Sequence, residues 1–485
     1  MIRPGPVSNV VGVALLGLSM FMLLCVPCGL IYGESVTYLL ISASITAVAG
    51  GISWFYRFQE ANDLSKREGY FIVLISWVTI SLCGALPYFV SGTIVGVTDA
   101  VFESVSGLTT TGATILTQIE DAPRSLLLWR SMTQWIGGMG FIVLTIAIFP
   151  LLGVGGVELF VAEAPGPTSS KIHPRIRGAA TRLWILYTGI TASSILILWA
   201  EGMTLFDAIN HGLTCIATGG FSTHSDSIGY FPPLIQYTIL AFMVIGGINY
   251  TITWFALTRR WKKVWSSDEF RAYLGFLGIA IVLVTVLVQM TEDHTWEVSF
   301  RESSFMIVSL VTTTGYVTAD YTAWTPGIAM MFYLLLFAGG CAGSTSGGIK
   351  IVRHYVFFRN SWLEFKRLLH PNALVRIKID DKIVPPRVLT HILVFFLLYV
   401  LIFVIGSITM AFLLEDYDDV ILTSIGAVAT SLGNVGPAIG SVGPMDHFAH
   451  LPSSAKWLCT VLMIIGRLEL FTFLIVFTPF FWRVN

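Results

Sequence analysis

The sequence predicts an all-α polytopic membrane protein: four pseudo-repeated helix–pore helix–filter–helix units around a central pore, preceded by two further transmembrane helices. Three observations carry this prediction. The hydrophobic share is 55% and the charged share 12% over 485 residues, with a mean hydropathy of +0.77; a soluble domain of that size would have too little polar surface to face water. Apolar stretches of about 20 residues, the length that crosses a bilayer core, recur near 8–32, 37–56, 70–91, 126–152, 181–200, 232–258, 272–290, 326–350, 388–414 and 456–482. Finally, a short hydroxyl-and-apolar segment runs into a glycine four times at a spacing of roughly 100 residues, the mark of internal repetition.

The first apolar run, Val11 to Ile31, is too long for a signal-peptide core and is followed at once by a second run. Met22-Leu23-Leu24-Cys25 lacks the small residue expected before a lipoprotein cysteine. Residues 1–69 therefore form a two-helix N-terminal domain. The repeats follow as 70–152, 153–265, 266–350 and 388–485, with a basic loop at 351–387. Lys and Arg placement orients the whole. Arg3, Arg57, Lys66, Arg67, Lys171, Arg175, Arg177, Arg182, Arg259, Arg260, Lys262, Lys263 and the dense set from Lys350 to Arg387 fall on one side. The opposite loops carry Glu34, Glu120, Asp121, Glu201, Asp226, Glu292, Asp293 and the acids from Glu415 to Asp419. Both termini are expected on the cytoplasmic side of the membrane. The six cysteines lie in or beside apolar runs without zinc-site spacing and read as small buried hydrophobes.

Each repeat then carries a segment of about 10 residues, too short to span, on its acidic side: 99–108, 207–216, 302–311 and 418–429. Such segments read as re-entrant helices, with an acidic or hydroxyl residue at the start that suits a helix N-terminus. Their far ends point the negative end of the helix dipole toward mid-membrane, which favours a cation there. The bends are Thr109-Thr110-Thr111-Gly112, Ile216-Ala217-Thr218-Gly219, Thr312-Thr313-Thr314-Gly315 and the degenerate Ser431-Leu432-Gly433-Asn434. Glycine allows close backbone approach and positive φ, and threonine adds stiffness and a hydroxyl oxygen. A ring of such carbonyls can replace an ion's water. The candidate filter is therefore Thr110, Thr111, Gly112, Ala217, Thr218, Gly219, Thr313, Thr314, Gly315, Leu432, Gly433 and Asn434. With Leu432 in place of a threonine the ring is not chemically fourfold, and potassium preference is expected to be less stringent than in a dedicated potassium channel. Glu103, in the first short helix, is expected to brace the back of the filter.

The filter series TTTGAT, ATGGFST, TTTGYVTADY and SLGNVGP, together with AGGCAGSTSGGIK, resembles the Trk/Ktr/HKT superfamily of potassium transporters. The two extra N-terminal helices and the length resemble its bacterial TrkH/TrkG-type membrane subunit. The resemblance covers essentially the whole chain. It implies potassium as the transported ion, a homodimer with one pore per protomer, and a cytosolic TrkA-type ring whose RCK domains bind ATP/ADP or NAD(H). This chain shows no nucleotide-binding pattern of its own, so nucleotide control would act through that partner. The other partner is membrane lipid, and nucleic acid is not expected.

Two features point to a gate. Residues 338–348 read AGGCAGSTSGG inside the eighth apolar run, and each glycine costs an isolated helix about 1 kcal/mol against alanine. Irregular backbone at membrane depth survives only where it is buried in protein or lines water. Gly343, Ser344, Thr345, Ser346, Gly347 and Gly348 are thus candidates for a loop that occludes the pore; a close-packing interface of small residues is the other reading. A phosphate cradle is disfavoured because the Walker pattern is absent. Arg467 lies midway along the last run, where the other repeats carry Gly138, Gly247 and Gly340. A central intramembrane arginine needs water or a partner, so it is either a fixed charge in the cavity or half of an ion pair with a neighbouring carboxylate. Apart from Glu469 the spanning helices lack central acids, which disfavours a proton- or sodium-coupled carrier. No His-Glu-x-x-His or catalytic dyad suggests an enzyme.

Overall fold

The computed structural model describes residues 2–55, 65–140, 176–370, 376–380, 382–417 and 419–483. The far half of the helix expected at 126–152, the basic residues Arg57, Lys171 and Arg175, and Asp418 lie outside the described residues. Six described helices are long and apolar enough to cross a membrane: Pro4–Ile31, Thr37–Phe55, Arg67–Val90, Thr181–Ala200, Asp268–Thr291 and Pro386–Leu413. The first two are the N-terminal pair. Their crossing is tight because Gly12 and Gly50 face each other's backbone: a Cβ on Gly12 would sit 2.7 Å from the Gly50 carbonyl oxygen. Small residues are how helices approach closely without a hydrophobic driving force. The pair is tied to the first repeat by Glu68, which completes a capping box with Ser65 and accepts from the Arg3 guanidinium at 2.8 and 3.0 Å.

The remaining long helices each open one repeat, and each is followed by a short helix: Val97–Leu108, Leu205–Ile216, Trp296–Val311 and Val420–Gly433. The third begins six residues before the expected 302. Each of the first three packs on the second helix of the preceding repeat, the first of them against Ser453–Arg467 of the fourth repeat. The chain therefore closes on itself.

The second helices are irregular, which the sequence predicts only at 338–348 of the third repeat. Arg124–Trp135 passes into a π-helical turn at Ile136–Gly140. Pro233–Gly246 and Tyr250–Leu257 meet at 111°. Pro326–Leu335 ends before an irregular segment at 338–350. Ser453–Arg467 stops at Glu469 and Leu470, which both have positive φ, and resumes as Phe471–Val476. The cause is the crowded centre. A Cβ on Gly137 would lie 1.7 Å from the Leu108 carbonyl oxygen, and one on Gly466 would lie 2.2 Å from that of Leu432. Glycines that admit the ends of the short helices are also where a helix is weakest. The basic loop holds an amphipathic helix, Ile351–Leu369, and a two-stranded hairpin pairing Lys378–Ile379 with Lys382–Ile383.

Candidate functional site

All four short helices end the same way. The N–H groups of Thr110, Thr218, Thr313 and Asn434 donate to carbonyls three residues back, and those of Thr111, Gly219, Thr314 and Val435 to carbonyls five back. This is the Schellman closure, whose pivot residue is left-handed and usually glycine or asparagine. Here the pivots are Thr110 (φ 54°), Thr218 (φ 53°), Thr313 (φ 54°) and Asn434 (φ 52°). A left-handed non-glycine residue costs roughly 1–2 kcal/mol, so three threonines at this position mark backbone strain kept in place by its surroundings. Two residues on, the chain turns left-handed again at Gly112, Gly220, Gly315 and Gly436, with φ of 82°, 81°, 80° and 107°.

This equivalence corrects the sequence register in two repeats. Gly219 and Gly433 do not occupy the glycine position: Gly219 stands where the first and third repeats carry Thr111 and Thr314, and Gly433 ends its helix. Leu432 lies within that helix, two residues before the pivot Asn434, where the first repeat carries Leu108. In the first and third repeats the left-handed glycines are Gly112 and Gly315.

The four left-handed glycines define a ring. A Cβ on Gly112 would meet the Gly219 carbonyl oxygen at 2.4 Å, on Gly220 that of Thr314 at 2.0 Å, on Gly315 that of Val435 at 2.2 Å, and on Gly436 that of Thr111 at 2.8 Å. Each repeat thus presents one carbonyl to the glycine of the repeat before it, and the fourth returns to the first. All four glycines line one mouth cavity of about 80 Å³ on the acidic side, with Ala113, Ser222, His224, Val317 and Asp446. Among the described residues, the buried Thr110 hydroxyl just beneath has no protein hydrogen-bond partner.

The ring is braced from behind. Glu103 accepts from Thr114 Oγ1 at 3.0 Å, from the Ile115 amide at 3.0 Å and from Arg130 Nε at 2.6 Å. Arg130 also donates to the Ser222 carbonyl at 3.0 Å and stacks on Phe221, so it joins the first repeat to the second. Ser106 and Ser309 hydroxyls donate to the carbonyls of Ala113 and Tyr316 at 2.5 and 2.6 Å, one residue past the glycine in both repeats. The sequence reading missed this serine pair; its common position six residues before each glycine was the available signal. At the mouth, Glu120 accepts from the amide and hydroxyl of Ser225 at 2.7 and 2.6 Å. Burial alone would raise that carboxyl, and the Ser225 bonds outweigh it and hold it below the ordinary carboxylate range. Replacing Glu103 by Ala is expected to lower stability by about 3–5 kcal/mol, because Arg130 would be buried without its counter-charge. A thermal melt of the purified variant checks this.

Beneath the ring, residues 338–350 form an irregular loop bonded to its surroundings at many points. The Gly347 amide donates to Thr313 Oγ1 at 2.6 Å, and Thr345 Oγ1 donates to the Ile216 carbonyl at 3.0 Å. The Cys341 amide donates to the Gly247 carbonyl at 2.8 Å, Asn249 Nδ2 to that of Ala342 at 2.6 Å, and the Ala342 amide to Glu269 at 2.6 Å. Arg467 Nη1 donates to the Thr345 carbonyl at 2.9 Å, while its Nη2 donates to the carbonyls of Gly137 and Gly138 at 2.5 and 2.8 Å. Arg467 thus donates to backbone carbonyls on two separate segments. Glu469 is paired with Arg353. The guanidinium fork suits this task because it presents several donors in one plane. Gly343, Ser344, Ser346 and Gly348 lie in the same loop, with Ser346 accepting from the Gly340 amide at 3.0 Å.

Comparison with known proteins agrees with this geometry. The family model for the cation transport protein TrkH matches residues 38–296 and 279–484. The chain is 39% identical over 483 residues to the Trk system potassium uptake protein TrkH of Salmonella typhimurium, covering 98% of this chain and 99% of that one. It is 36% identical over 442 residues to TrkG of Escherichia coli, covering 90% and 89%. The crystal structure of the potassium transporter TrkH from Vibrio parahaemolyticus superposes over 100% of both chains, with a TM-score of 0.86 at 34% identity.

Proposed function

The chain belongs to the TrkH family of cation transport proteins, and from that premise we propose that it takes up potassium through a channel-like pore in a bacterial inner membrane. The pore is gated through a cytosolic nucleotide-binding partner. The observation that carries this reading is the closed carbonyl ring, in which each of four left-handed glycines abuts a carbonyl of the next repeat. Converging carbonyls and the negative ends of four short helices can hold a dehydrated cation and repel an anion. The third-position carbonyls of Thr111, Gly219, Thr314 and Val435 are its ligands, with Thr110, Thr218, Thr313 and Asn434 beneath them. Gly112, Gly220, Gly315 and Gly436 give the room for close approach.

The loop at 338–350 is the gate, and Arg467 holds it closed by joining Thr345 to the second helix of the first repeat. Both termini face the cytoplasm, the protein works as a homodimer, and a TrkA-type ring binding ATP/ADP or NAD(H) engages the basic face. Rubidium uptake into proteoliposomes tests the function. Flux is expected to be driven by the rubidium gradient and voltage alone. A fixed dependence on a proton or sodium gradient would overturn it. Deleting residues 343–347 is expected to raise basal flux while the potassium-to-sodium ratio stays within about twofold, since the loop lies below the ring. Unchanged flux with poor assembly would make the loop a packing element.

A further inference from the structure

The third position of the filter is not built alike in the four repeats. In the first, the Thr109 hydroxyl donates to the Val105 carbonyl at 2.6 Å, so the Thr111 hydroxyl, 2.8 Å away, must donate to Thr109. The third repeat repeats this ladder: Thr312 donates to the Val308 carbonyl at 2.7 Å and stands 2.7 Å from Thr314. In the fourth, Val435 stands at the third position, and the pivot Asn434 before it donates through Nδ2 to Thr111 Oγ1 at 3.0 Å and to the Met463 carbonyl at 2.9 Å. The second repeat has Ala217 and Gly219 at the two ladder positions and can build none of this.

Its brace comes from another repeat. Gln134, fully buried on the helix Arg124–Trp135, donates through Nε2 to the Gly219 carbonyl at 2.5 Å. Its Oε1 accepts from the Phe221 amide at 3.1 Å, which fixes the orientation of the side-chain amide. The glutamine thus pairs with the filter backbone on both sides of Gly220, as a neighbouring strand would. It also explains why position 219 is glycine without a left-handed φ: a Cβ there would lie 2.3 Å from the Gln134 side-chain carbon. Threonine and glutamine exclude each other at this spot.

We propose that Gln134 is a specificity-determining residue of the filter, setting the position and ligand strength of the Gly219 carbonyl, the one that faces Gly112. A carbonyl oxygen has two acceptor sites. With one occupied by Gln134, the Gly219 oxygen is held at a fixed radius and cannot close inward on a smaller cation. The proposal rests on the reading of this ring as the potassium filter. Loss of the brace is expected to favour sodium, since an untethered carbonyl can follow the smaller ion.

The test is the bi-ionic permeability ratio of the full-length protein reconstituted in bilayers. Gln134→Leu, which keeps bulk and removes both hydrogen bonds, is expected to lower potassium-over-sodium preference by about tenfold, the factor that one ordinary hydrogen bond carries. Gln134→Glu keeps the acceptor for Phe221 and loses the donor to Gly219; it is expected to lower the ratio similarly. The triple variant Gln134→Ala, Ala217→Thr, Gly219→Thr transplants the hydroxyl ladder into the second repeat and is expected to restore most of the ratio. Position 217 matches position 312 in its surroundings, because Ala217 lies beside Gly138 as Thr312 lies beside Gly247. A wild-type ratio near one sinks the filter reading itself. A selective wild type whose ratio is unchanged in Gln134→Leu and Gln134→Glu overturns this proposal alone. Failure of both variants to fold, without rescue by the triple variant, also overturns it, since Gln134 would then serve packing only.

Discussion

Arg467→Ala is expected to raise basal cation flux by about tenfold to a hundredfold. The charged hydrogen bond to the Thr345 carbonyl is the direct tie between this side chain and the loop at 338–350 that we propose as the gate, and such a bond is worth about 1.5–3 kcal/mol. Its loss shifts the closed–open balance by the corresponding factor. The informative companion is Arg467→Lys. If charge alone blocks the pore, lysine keeps the block. The structure assigns the guanidinium to three carbonyls on two separate segments, Thr345 on one and Gly137 and Gly138 on the other. A single ammonium does not present donors in two directions in that way, so the lysine variant is expected to leak nearly as much as the alanine variant. Rubidium flux per folded protomer, in all three proteins, checks both.

The second large effect is at the ring. Gly220→Ala is expected to abolish potassium selectivity and to reduce folded yield. The added Cβ would meet the Thr314 carbonyl oxygen at 2.0 Å, backbone that cannot swing aside, and the residue would also be held at φ 81°. The conformational cost alone is roughly 1–2 kcal/mol. Gly436→Ala meets its neighbour at 2.8 Å and is expected to be milder. Gly433→Ala puts its Cβ 2.9 Å from the Leu336 carbonyl oxygen, away from the mouth, and is expected to cost folded yield more than selectivity. The order of ratios, Gly220→Ala lowest and Gly433→Ala nearest wild type, tests the register directly.

Much of this architecture was legible in the residues. Hydropathy found the six long helices, because a span with lipid on one side must be apolar along its length. The repeated Thr-Gly segments placed the four bends, and Glu103 was expected to lie behind the filter. What hydropathy could not show is continuity: Gly247 is as apolar as its neighbours, so a helix broken there still scores as one span. The register at Gly219-Gly220 was ambiguous because both residues are glycine, and only the Schellman closure at Thr218 assigns the second to the ring. In the fourth repeat the asparagine at the pivot, not the glycine before it, was the helix-end signal. The binding mode of Arg467 was hidden for a different reason. Its contacts include the main-chain carbonyls of Thr345, Gly137 and Gly138, which no side-chain pattern announces. Gln134 was missed because it belongs to one repeat and serves another.

The measurement that bears most directly on the central claim is recording from the reconstituted wild-type protein in a planar bilayer, with potassium on one side and sodium on the other. The carbonyl ring predicts discrete unitary currents, thousands of ions per opening, whose reversal potential lies toward that of potassium. A slow flux without unitary steps, moving in fixed ratio with protons or sodium, would contradict it.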